Sequence, residues 1–277
     1  MNAITHSELS AIDRVGIVEG LSIDDYHAGP GISKSGLDDI NASPAIYYGR
    51  HLDPQRPAET RKGGQLEGQL AHCAILEPDE FSKRYIVGPD VASRNAKAWK
   101  DFEAANPGLE CIKRDEYEAA MRQADAVRKL PEIADALSRG RAEVSAYWRD
   151  PVTGVLCRCR PDFAHDCGTN GVILLDVKTC GDASPAEFAR QIARKRYHVQ
   201  DAFYTDGYSA ASGREVLAFV FVAVEAQWPH AACAVMLDEP GKDHGRREYR
   251  RNLNTYAECL KSGEWPGYSN QIQIVNL

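Results

Sequence analysis

Two aspartates and a lysine near the middle of the chain have the types and the spacing that metal-assisted chemistry requires. Asp162 follows an Arg-Pro pair, and an Asp-x-Lys triplet, Asp176 to Lys178, comes thirteen residues further on. Because residues i and i+2 of a strand point to the same face, this triplet places the ammonium about 6–7 Å along the strand from the carboxylate. Magnesium prefers oxygen ligands, so two carboxylates on neighbouring strands form a suitable cradle for it.

These groups suit the hydrolysis of a phosphodiester. The scissile phosphate is anionic, and a divalent ion neutralises it, lowers the pKa of a bound water to about 7–9 and stabilises the leaving oxygen. The alternative is an exposed structural ion pair, since isolated Asp-x-Lys triplets are common. Here, however, the triplet closes an apolar strand, where unpaired charge is costly without a ligand or metal. We therefore predict a metal-dependent nuclease.

Three further polar residues could complete such a site. Gln200 and Tyr204 lie four apart on a predicted helix and share one face, where they could hold a phosphate or the catalytic lysine. His72, on an earlier predicted helix, could supply a nitrogen ligand and so shift the preference slightly toward manganese. Each of the three alone is more simply explained as a surface or core side chain, so their significance depends on the complete set.

A change of hydrophobic period along the chain predicts the elements that position these residues. Helices are expected at 35–41, from Ser43-Pro44, at 65–76, 95–105 and 115–138, from Ser184 to about 211 with a break near His198, and at 243–261. At Ser184, Pro185 and Glu187 complete the pattern of a capping box. Strands are expected at 143–149, 155–163, 171–179, 216–224 and 231–237, and a loop at 51–64. This order predicts an α/β fold around one mixed sheet, with a helical N-terminal portion beside it.

Length and composition are those of an ordinary globular protein. The chain has 277 residues, of which 43% are apolar and 26% charged. No run of about eighteen apolar residues occurs, so we expect no membrane-spanning helix. Residues 1–21 are interpreted as a polar lead-in that is poorly ordered and is not a signal peptide, and residues 22–277 as one domain.

The eight cysteines are scattered and include no CxxC pair. Their spacing favours reduced, mostly buried thiols in a cytosolic protein over four disulfides, and it argues against a structural zinc or iron–sulfur site.

The formal net charge of −7 does not by itself indicate a nucleic-acid binder. DNA responds to the local field, however, and residues 190–198 and 246–251 are two locally basic stretches. Each stretch is equally well explained as a solvated helix face, and the sequence leaves this alternative open.

Taken in order, the motif residues resemble the set found in RecB-family nucleases of the PD-(D/E)xK superfamily. Further segments resemble the RecE-type exodeoxyribonuclease domain (exonuclease VIII), so that the likeness covers almost the whole chain from about residue 22. These segments are YHAGPGISKSGLDDINASPAIYYGR (26–50), GQLAHCAILEP (68–78), NAKAWKDF (95–102), CRCRPDF (157–163), LLDVKT (174–179) and WPGY (265–268).

This resemblance implies a PD-(D/E)xK core, a mixed central sheet flanked by helices, in a processive exonuclease acting on linear double-stranded DNA ends. Such enzymes use Mg²⁺, with Mn²⁺ able to substitute, digest the 5′-ended strand to mononucleotides and leave a 3′ overhang for recombination and repair. They form ring-shaped homo-oligomers, a homotetramer in the RecE type. Their partner is a RecT-like single-strand annealing protein, and the setting is the cytoplasm of a bacterium, often with a phage or prophage gene.

The resemblance also assigns roles to residues by position. The metal ligands are His72, Asp162, Asp176, the carbonyl of Val177 and, for a second metal, Glu143. Lys178 is the catalytic lysine, and Gln200 and Tyr204 support it and contact DNA. Further candidates for DNA contact are Ser33, Ser35 and Arg50. Where some RecB-family relatives carry a cysteine, this chain has Ser43, and it lacks their late cysteine trio, which argues against an iron–sulfur version.

Two alternatives remain at this stage. A RecB-type nuclease acting on single strands, or an endonuclease, would use the same active-site residues. A catalytically inactive DNA-binding or assembly module belongs to a different class. The intact set of two aspartates and a lysine argues against the inactive module, because binding alone does not require all three.

Overall fold

The computed structural model describes residues 15–57, 64–168 and 170–274. Its strands are β1 (Gly16–Val18), β2 (Tyr85–Val87), β3 (Glu110–Ile112), β4 (Gly140–Ala142), β5 (Ser145–Arg149), β6 (Leu156–Cys159), β7 (Phe163–Cys167), β8 (Gly171–Cys180), β9 (Glu215–Glu225) and β10 (Ala232–Val235). Its helices are α1 (Ile23–Ala28), α2 (Lys34–Ala42), α3 (Pro44–Tyr47), α4 (Gln65–Leu76), α5 (Pro78–Arg84), α6 (Lys97–Ala105), α7 (Arg114–Arg128), α8 (Pro131–Leu137), α9 (Pro185–Arg194), α10 (Tyr197–Ser212) and α11 (Glu239–Ser262). A single π-helical turn, Tyr48–Leu52, continues α3.

A mixed five-stranded sheet lies at the centre of this α/β fold. The spatial order of its strands is β10-β9-β8-β7-β4, with β8 and β9 parallel and the other neighbours antiparallel. The parallel pair consists of the two most apolar runs of the chain, as expected for strands that are covered on both faces. The crossover between them consists of α9 and α10. The predicted fold class, a mixed sheet flanked by helices, is confirmed.

Alternation along β8 divides the hydrophobic interior into two cores. Leu174 packs in a core with Phe188 of α9 and Val199 of α10, whereas Leu175 and Val177 pack in a second core with side chains of α4 and α7. Asp176 and Lys178 alternate along the strand with Leu175 and Val177, so they lie on the opposite face. They therefore project from the face of β8 that α9 and α10 cover.

The prediction of one sheet is wrong, because the hairpin of β5 and β6 forms a separate three-stranded sheet with β1 in the order β1-β5-β6. The expected strand over 155–163 is interrupted after Cys159, and residues 160–162 turn from one sheet to the other. Residues 16–18 of the predicted lead-in form β1, which pairs with β5. Residues 1–14 of that lead-in lie outside the described residues, as do residues 58–63 of the predicted loop at 51–64.

Most predicted helices are present, with three differences. The helix expected over 115–138 is two helices, because Pro131 begins a new one. Ser184 precedes α9 as expected, but its side chain makes no capping hydrogen bond. The break expected near His198 falls at Arg196, whose φ of 55° ends one helix and starts the next.

All eight cysteines are free thiols, and six of them are buried, in agreement with the sequence prediction. Within the part of the chain that the structure describes, every helix is too short or too polar to cross a membrane.

Candidate active site

Asp162 lies in the turn that links β6 to β7, and its carboxylate is tied to the central strand β8. Its Oδ2 accepts a hydrogen bond from the backbone N–H of Val177 at 2.7 Å, and the side chain is only 14% exposed. The turn between the two sheets therefore delivers this carboxylate to the strand that carries Asp176 and Lys178. The spatial proximity of the two aspartates expected from the sequence is present.

His72, on α4, reaches the same residue of β8 and lies beside Asp162. Its Nε2 lies 2.8 Å from the carbonyl oxygen of Val177, and its Nδ1 lies 3.5 Å from Oδ2 of Asp162. A carbonyl oxygen can only accept, so Nε2 carries the proton and the lone pair of Nδ1 faces a carboxylate oxygen. A proton or a metal ion between these two electron-pair donors would stabilise this arrangement.

Glu143 completes a cluster of three possible ligands. One ligand atom each from His72, Glu143 and Asp162 lies within 4.8 Å of the other two. Glu143 was expected on a strand, but it lies between β4 and β5 with φ of 55°, in the left-handed region. Its N–H donates to the carbonyl of Asp162 at 2.9 Å, and its Oε2 accepts from Nε of Arg160 at 2.7 Å. These two bonds hold the carboxylate beside Asp162.

Asp176 and Lys178 lie on one face of β8, as their spacing predicts. The lysine Nζ is 2.5 Å from Oδ2 of Asp176, and Nε2 of Gln200 donates to Oδ1 of the same carboxylate, also at 2.5 Å. Asp176 is 1% exposed, so both contacts are made in the interior. Gln200 was expected to hold a phosphate or the lysine. In the structure its partner is instead the aspartate.

The electrostatics of the site indicate a deficit of positive charge. Burial, and then the neighbouring charge of Asp176, raise the pKa of Asp162 well above its ordinary value. Burial, and then Lys178, lower the pKa of His72, which favours the neutral imidazole that binds metals. Burial alone would lower the pKa of Lys178, but Asp176 and Asp162 outweigh it, so the net shift is upward and the ammonium persists.

This donor set fits a hard divalent cation. Carboxylate oxygens and one neutral imidazole are the ligands that Mg²⁺ and Mn²⁺ accept in proteins. The cation would relieve the repulsion that raises the pKa of Asp162. It would also satisfy the lone pair of His72 that faces this carboxylate. The Asp176 carboxylate contacts Lys178, and the Val177 carbonyl contacts His72. Whether either group is a metal ligand stays a prediction.

Tyr204, the last residue of the predicted motif set, lies one helical turn after Gln200 on α10. Its ring packs edge-on against Phe219 of β9 with centroids 6.1 Å apart. Burial, and then the hydroxyl of Tyr26, raise the pKa of Tyr204, so the phenol stays neutral. It can therefore offer a neutral hydroxyl, and its contact with DNA remains a prediction.

The three residues predicted to contact DNA lie on α2 and just after α3. Ser33 is the N-cap of α2, where its hydroxyl accepts from the N–H of Gly36 at 3.4 Å and lies 2.9 Å from that of Ser35. Arg50 is exposed and forms an ion pair with Asp39. The two serines thus have a structural role as well, and DNA contact by any of the three residues is untested.

Sequence reasoning missed three residues around this site. Arg160 donates through Nε to Glu143 and through Nη1 to the Leu21 carbonyl at 2.9 Å, which clamps the metal cluster to the N-terminal segment. The ring of Tyr197 lies below two ammonium groups, with Lys178 Nζ 4.9 Å and Lys34 Nζ 5.6 Å from its centroid. The position of Arg160 beside the Pro-Asp pair was a usable signal, whereas nothing in the sequence relates Lys34 to Tyr197.

The two basic stretches differ in the structure. In the first, Arg194 and Lys195 are exposed at the end of α9 and have no salt bridge with any described residue. In the second, three arginines of α11 are paired with acids; these are Arg246 with Asp206, Arg250 with Asp150 and Arg251 with Glu248. The first stretch is thus half paired, since Arg190 and Arg196 also contact acids. The second is mostly paired, with Arg247 exposed and without a salt bridge to any described residue. The first stretch adjoins Tyr197 and the site.

A mixed central sheet, an Asp-x-Lys triplet on its middle strand and a second aspartate with a histidine beside it define the class of PD-(D/E)xK nucleases. The family comparison agrees: residues 33–277 match the family described as "PDDEXK-like domain of unknown function (DUF3799)". The chain belongs to this family. Comparison with curated proteins finds no significant match.

Solved structures support the fold. A protein from Eubacterium rectale named "Putative exonuclease" is similar over 94% of this chain and 97% of its own, with a TM-score of 0.61 and 12% identity. An alkaline exonuclease from Laribacter hongkongensis matches 67% of this chain and 97% of its own, with 15% identity and a TM-score of 0.28. At these identities the first likeness establishes the fold alone, and the second is too low to add to it.

Proposed function

We propose that the chain is a divalent-metal-dependent exonuclease that acts on the ends of linear double-stranded DNA. In this proposal it is a RecE-type enzyme that degrades the 5′-ended strand to mononucleotides and leaves a 3′ single-stranded overhang. The observation that carries the nuclease assignment is the convergence of His72, Glu143 and Asp162 beside the Asp176–Lys178 pair. The exonuclease polarity and product rest on the family resemblance of the sequence.

His72, Glu143, Asp162 and Asp176 are the residues that would hold the ion. When bound, Mg²⁺ or Mn²⁺ supplies charge neutralisation of the phosphate and activation of water. The chain's own groups position what reacts. Gln200 fixes the carboxylate of Asp176, and the Val177 N–H fixes that of Asp162, so neither must reorganise during the reaction.

The role of Lys178 follows from its charge. In the metal-free site the two aspartates raise the pKa of Lys178, which favours its ammonium form. It therefore acts as a cation and hydrogen-bond donor that orients the attacking water or balances the charge of the phosphate. The unpaired Arg194 and Lys195, near Tyr197, favour a polyanionic substrate approaching along α9.

The proposed biological setting follows the same resemblance. We propose a ring-shaped homotetramer that encloses the duplex, with a RecT-like single-strand annealing protein as its partner in recombination, in the bacterial cytoplasm. Size-exclusion chromatography with light scattering would test the tetramer, and a monomer at working concentrations would contradict a ring.

The deciding experiment digests a linear duplex that carries one 5′-labelled and one 3′-labelled strand, with and without Mg²⁺. We expect early release of the 5′ label as a mononucleotide, retention of the 3′ label on a long strand, and no reaction without metal. A covalently closed circle of the same sequence is the control. If the circle is cut as readily as the linear duplex, the enzyme is an endonuclease, and a preference for single strands would likewise overturn the duplex-end proposal.

A further inference from the structure

A second group of metal-ligating side chains lies outside the active site, where α10 and α11 pack together. His198 is in the first turn of α10, and His244 and Glu248 lie four residues apart on one face of α11. One ligand atom from each of the three lies within 4.8 Å of the other two. Two imidazoles and a carboxylate form a donor set that zinc and similar ions use.

His198 has the hydrogen bonding of a metal ligand. The ring is buried and its Nε2 has no hydrogen-bond partner, whereas the ring interacts with the backbone of Ile192. By elimination, the interacting atom is Nδ1, which leaves the lone pair of Nε2 available. Metal-bound histidines commonly donate their other ring N–H to a backbone carbonyl in this way. A buried nitrogen without a partner is otherwise costly.

The packing of the two helices holds His244 over His198. The imidazole rings are stacked, with centroids 4.9 Å apart and an angle of 17° between their planes, so the exposed His244 side chain would rotate to direct its lone pair at an ion shared with His198. This close approach depends on Gly245, because a Cβ at that position would lie 2.0 Å from the carbonyl oxygen of His198. Burial, and then His244, lower the pKa of His198. The His198 ring is therefore kept neutral, and two positive charges do not face each other.

Glu248 supplies the negative charge of this group. Its two oxygens also accept from Arg196 and from Arg251, the second at 2.8 Å. A carboxylate offers about four lone-pair positions, so these donors orient Glu248 without excluding a metal. The charge of Arg196 is shared with Asp38, whose Oδ1 lies 2.9 Å from its Nε.

We propose that His198, His244 and Glu248 bind a divalent transition-metal ion of the zinc type, separate from the active-site metal. The ion would clamp the first turn of α10 to α11. Because Gln200 is two residues after His198, the clamp would also restrain the residue that holds Asp176. This proposal does not depend on the nuclease assignment.

The test measures binding of Co²⁺, a spectroscopic substitute for Zn²⁺, to tag-free protein by visible absorption and calorimetry. It is done in a His72→Ala background, so that binding at the active-site cluster is weakened. His244→Ala is the key variant, because this side chain is exposed and its removal leaves the core intact. His51→Ala, at another surface histidine that lies on the π-helical turn, is the matched control.

We expect the His72→Ala protein to bind one equivalent of Co²⁺ with the visible absorption of a nitrogen-ligated site. The His51 variant should bind equally, and the His244 variant at least about tenfold more weakly. Zn²⁺ in large excess over its Kd should raise the Tm of the His72→Ala protein by several degrees, and this rise should be absent in the His244 variant. Absence of binding to the His72→Ala protein, or equal binding with and without His244, would overturn the proposal.

Discussion

The side-chain amide of Gln200 and the ammonium of Lys178 contact the two oxygens of the Asp176 carboxylate from opposite directions. The amide comes from α10 and the ammonium from the same strand as the aspartate. Since Asp176 is fully buried, these contacts compensate a charge that would otherwise be too costly to keep there. Strand β8 and the crossover helix α10 are therefore coupled through one carboxylate.

Replacing either member of the charged pair should abolish cleavage. Lys178→Ala and Asp176→Ala each remove a preorganised charge, and we expect turnover to fall by at least about 10²- to 10³-fold. DNA binding, measured in Ca²⁺, should be largely retained, and circular dichroism should show a folded protein; Lys178→Ala should nevertheless lower the Tm, because it leaves the buried Asp176 carboxylate without its cation. Lys83→Ala, at an exposed lysine paired only with Glu80, is the control. Near-normal turnover in either active-site variant would contradict the assignment.

His72→Ala should cause a large loss of activity that Mn²⁺ partly restores. The imidazole contributes a nitrogen ligand, and Mn²⁺ binds the remaining carboxylates more tightly than Mg²⁺ does. The measurement is the initial rate against metal concentration for both ions, with His51→Ala as the matched histidine variant. A metal dependence identical to that of the wild-type chain would count against a ligand role for His72.

Arg160→Gln should weaken metal binding without removing any ligand. The guanidinium holds Glu143 in place through the 2.7 Å bond from Nε, and loss of such supporting groups typically costs about 10- to 100-fold in metal affinity. We expect the Mg²⁺ concentration for half-maximal activity to rise by about 10- to 100-fold, whereas the rate at saturating Mg²⁺ should equal that of the wild-type chain. Arg122→Gln, which removes an arginine paired with Glu118 on the surface, should change neither value.

Stability of the metal-free protein should depend on pH through Asp162. Its pKa in the folded state lies well above the ordinary value of 3.8, so its contribution is complete below that value and is lost as pH rises through the folded pKa. Denaturant unfolding of metal-free wild type should therefore show a decline that Asp162→Asn lacks. Added Mg²⁺ should remove the same decline, because the ion compensates the ionised carboxylate.

A second buried acid provides the control for this pH experiment. Burial raises the pKa of Asp201 on α10 to about 7, against the smaller opposing effect of Lys242. Each pKa unit corresponds to about 1.4 kcal/mol of differential stability. Asp201→Asn should therefore flatten the pH dependence equally with and without Mg²⁺. If Asp162→Asn behaved in the same metal-independent way, Asp162 would not be at the metal site.

The sequence predicted that Asp176 and Lys178 lie on one face of β8, because the period of a strand alone decides which side chains share a face. It could not predict the position of Glu143, which depends on a left-handed residue between two short strands. Nor could it predict that Gln200 binds Asp176, because helical spacing shows which side chains share a face of the helix but not which residues pack against that face. The division into two sheets depends on the turn that the chain makes at residues 160–162. The alternation of apolar and polar residues over 155–163 does not reveal this turn.

The parallel pairing of β8 with β9 has a consequence for the cell that makes this protein. The chain that leaves the ribosome first contains His72, Asp162 and Lys178, but β8 lacks its parallel neighbour until residues 215–225 have also emerged. Until then α10 lacks the contacts that it makes with β9 and α11, which help to hold Gln200 beside Asp176. If the proposed function is right, a chain that stops before β9 should therefore lack an assembled active site.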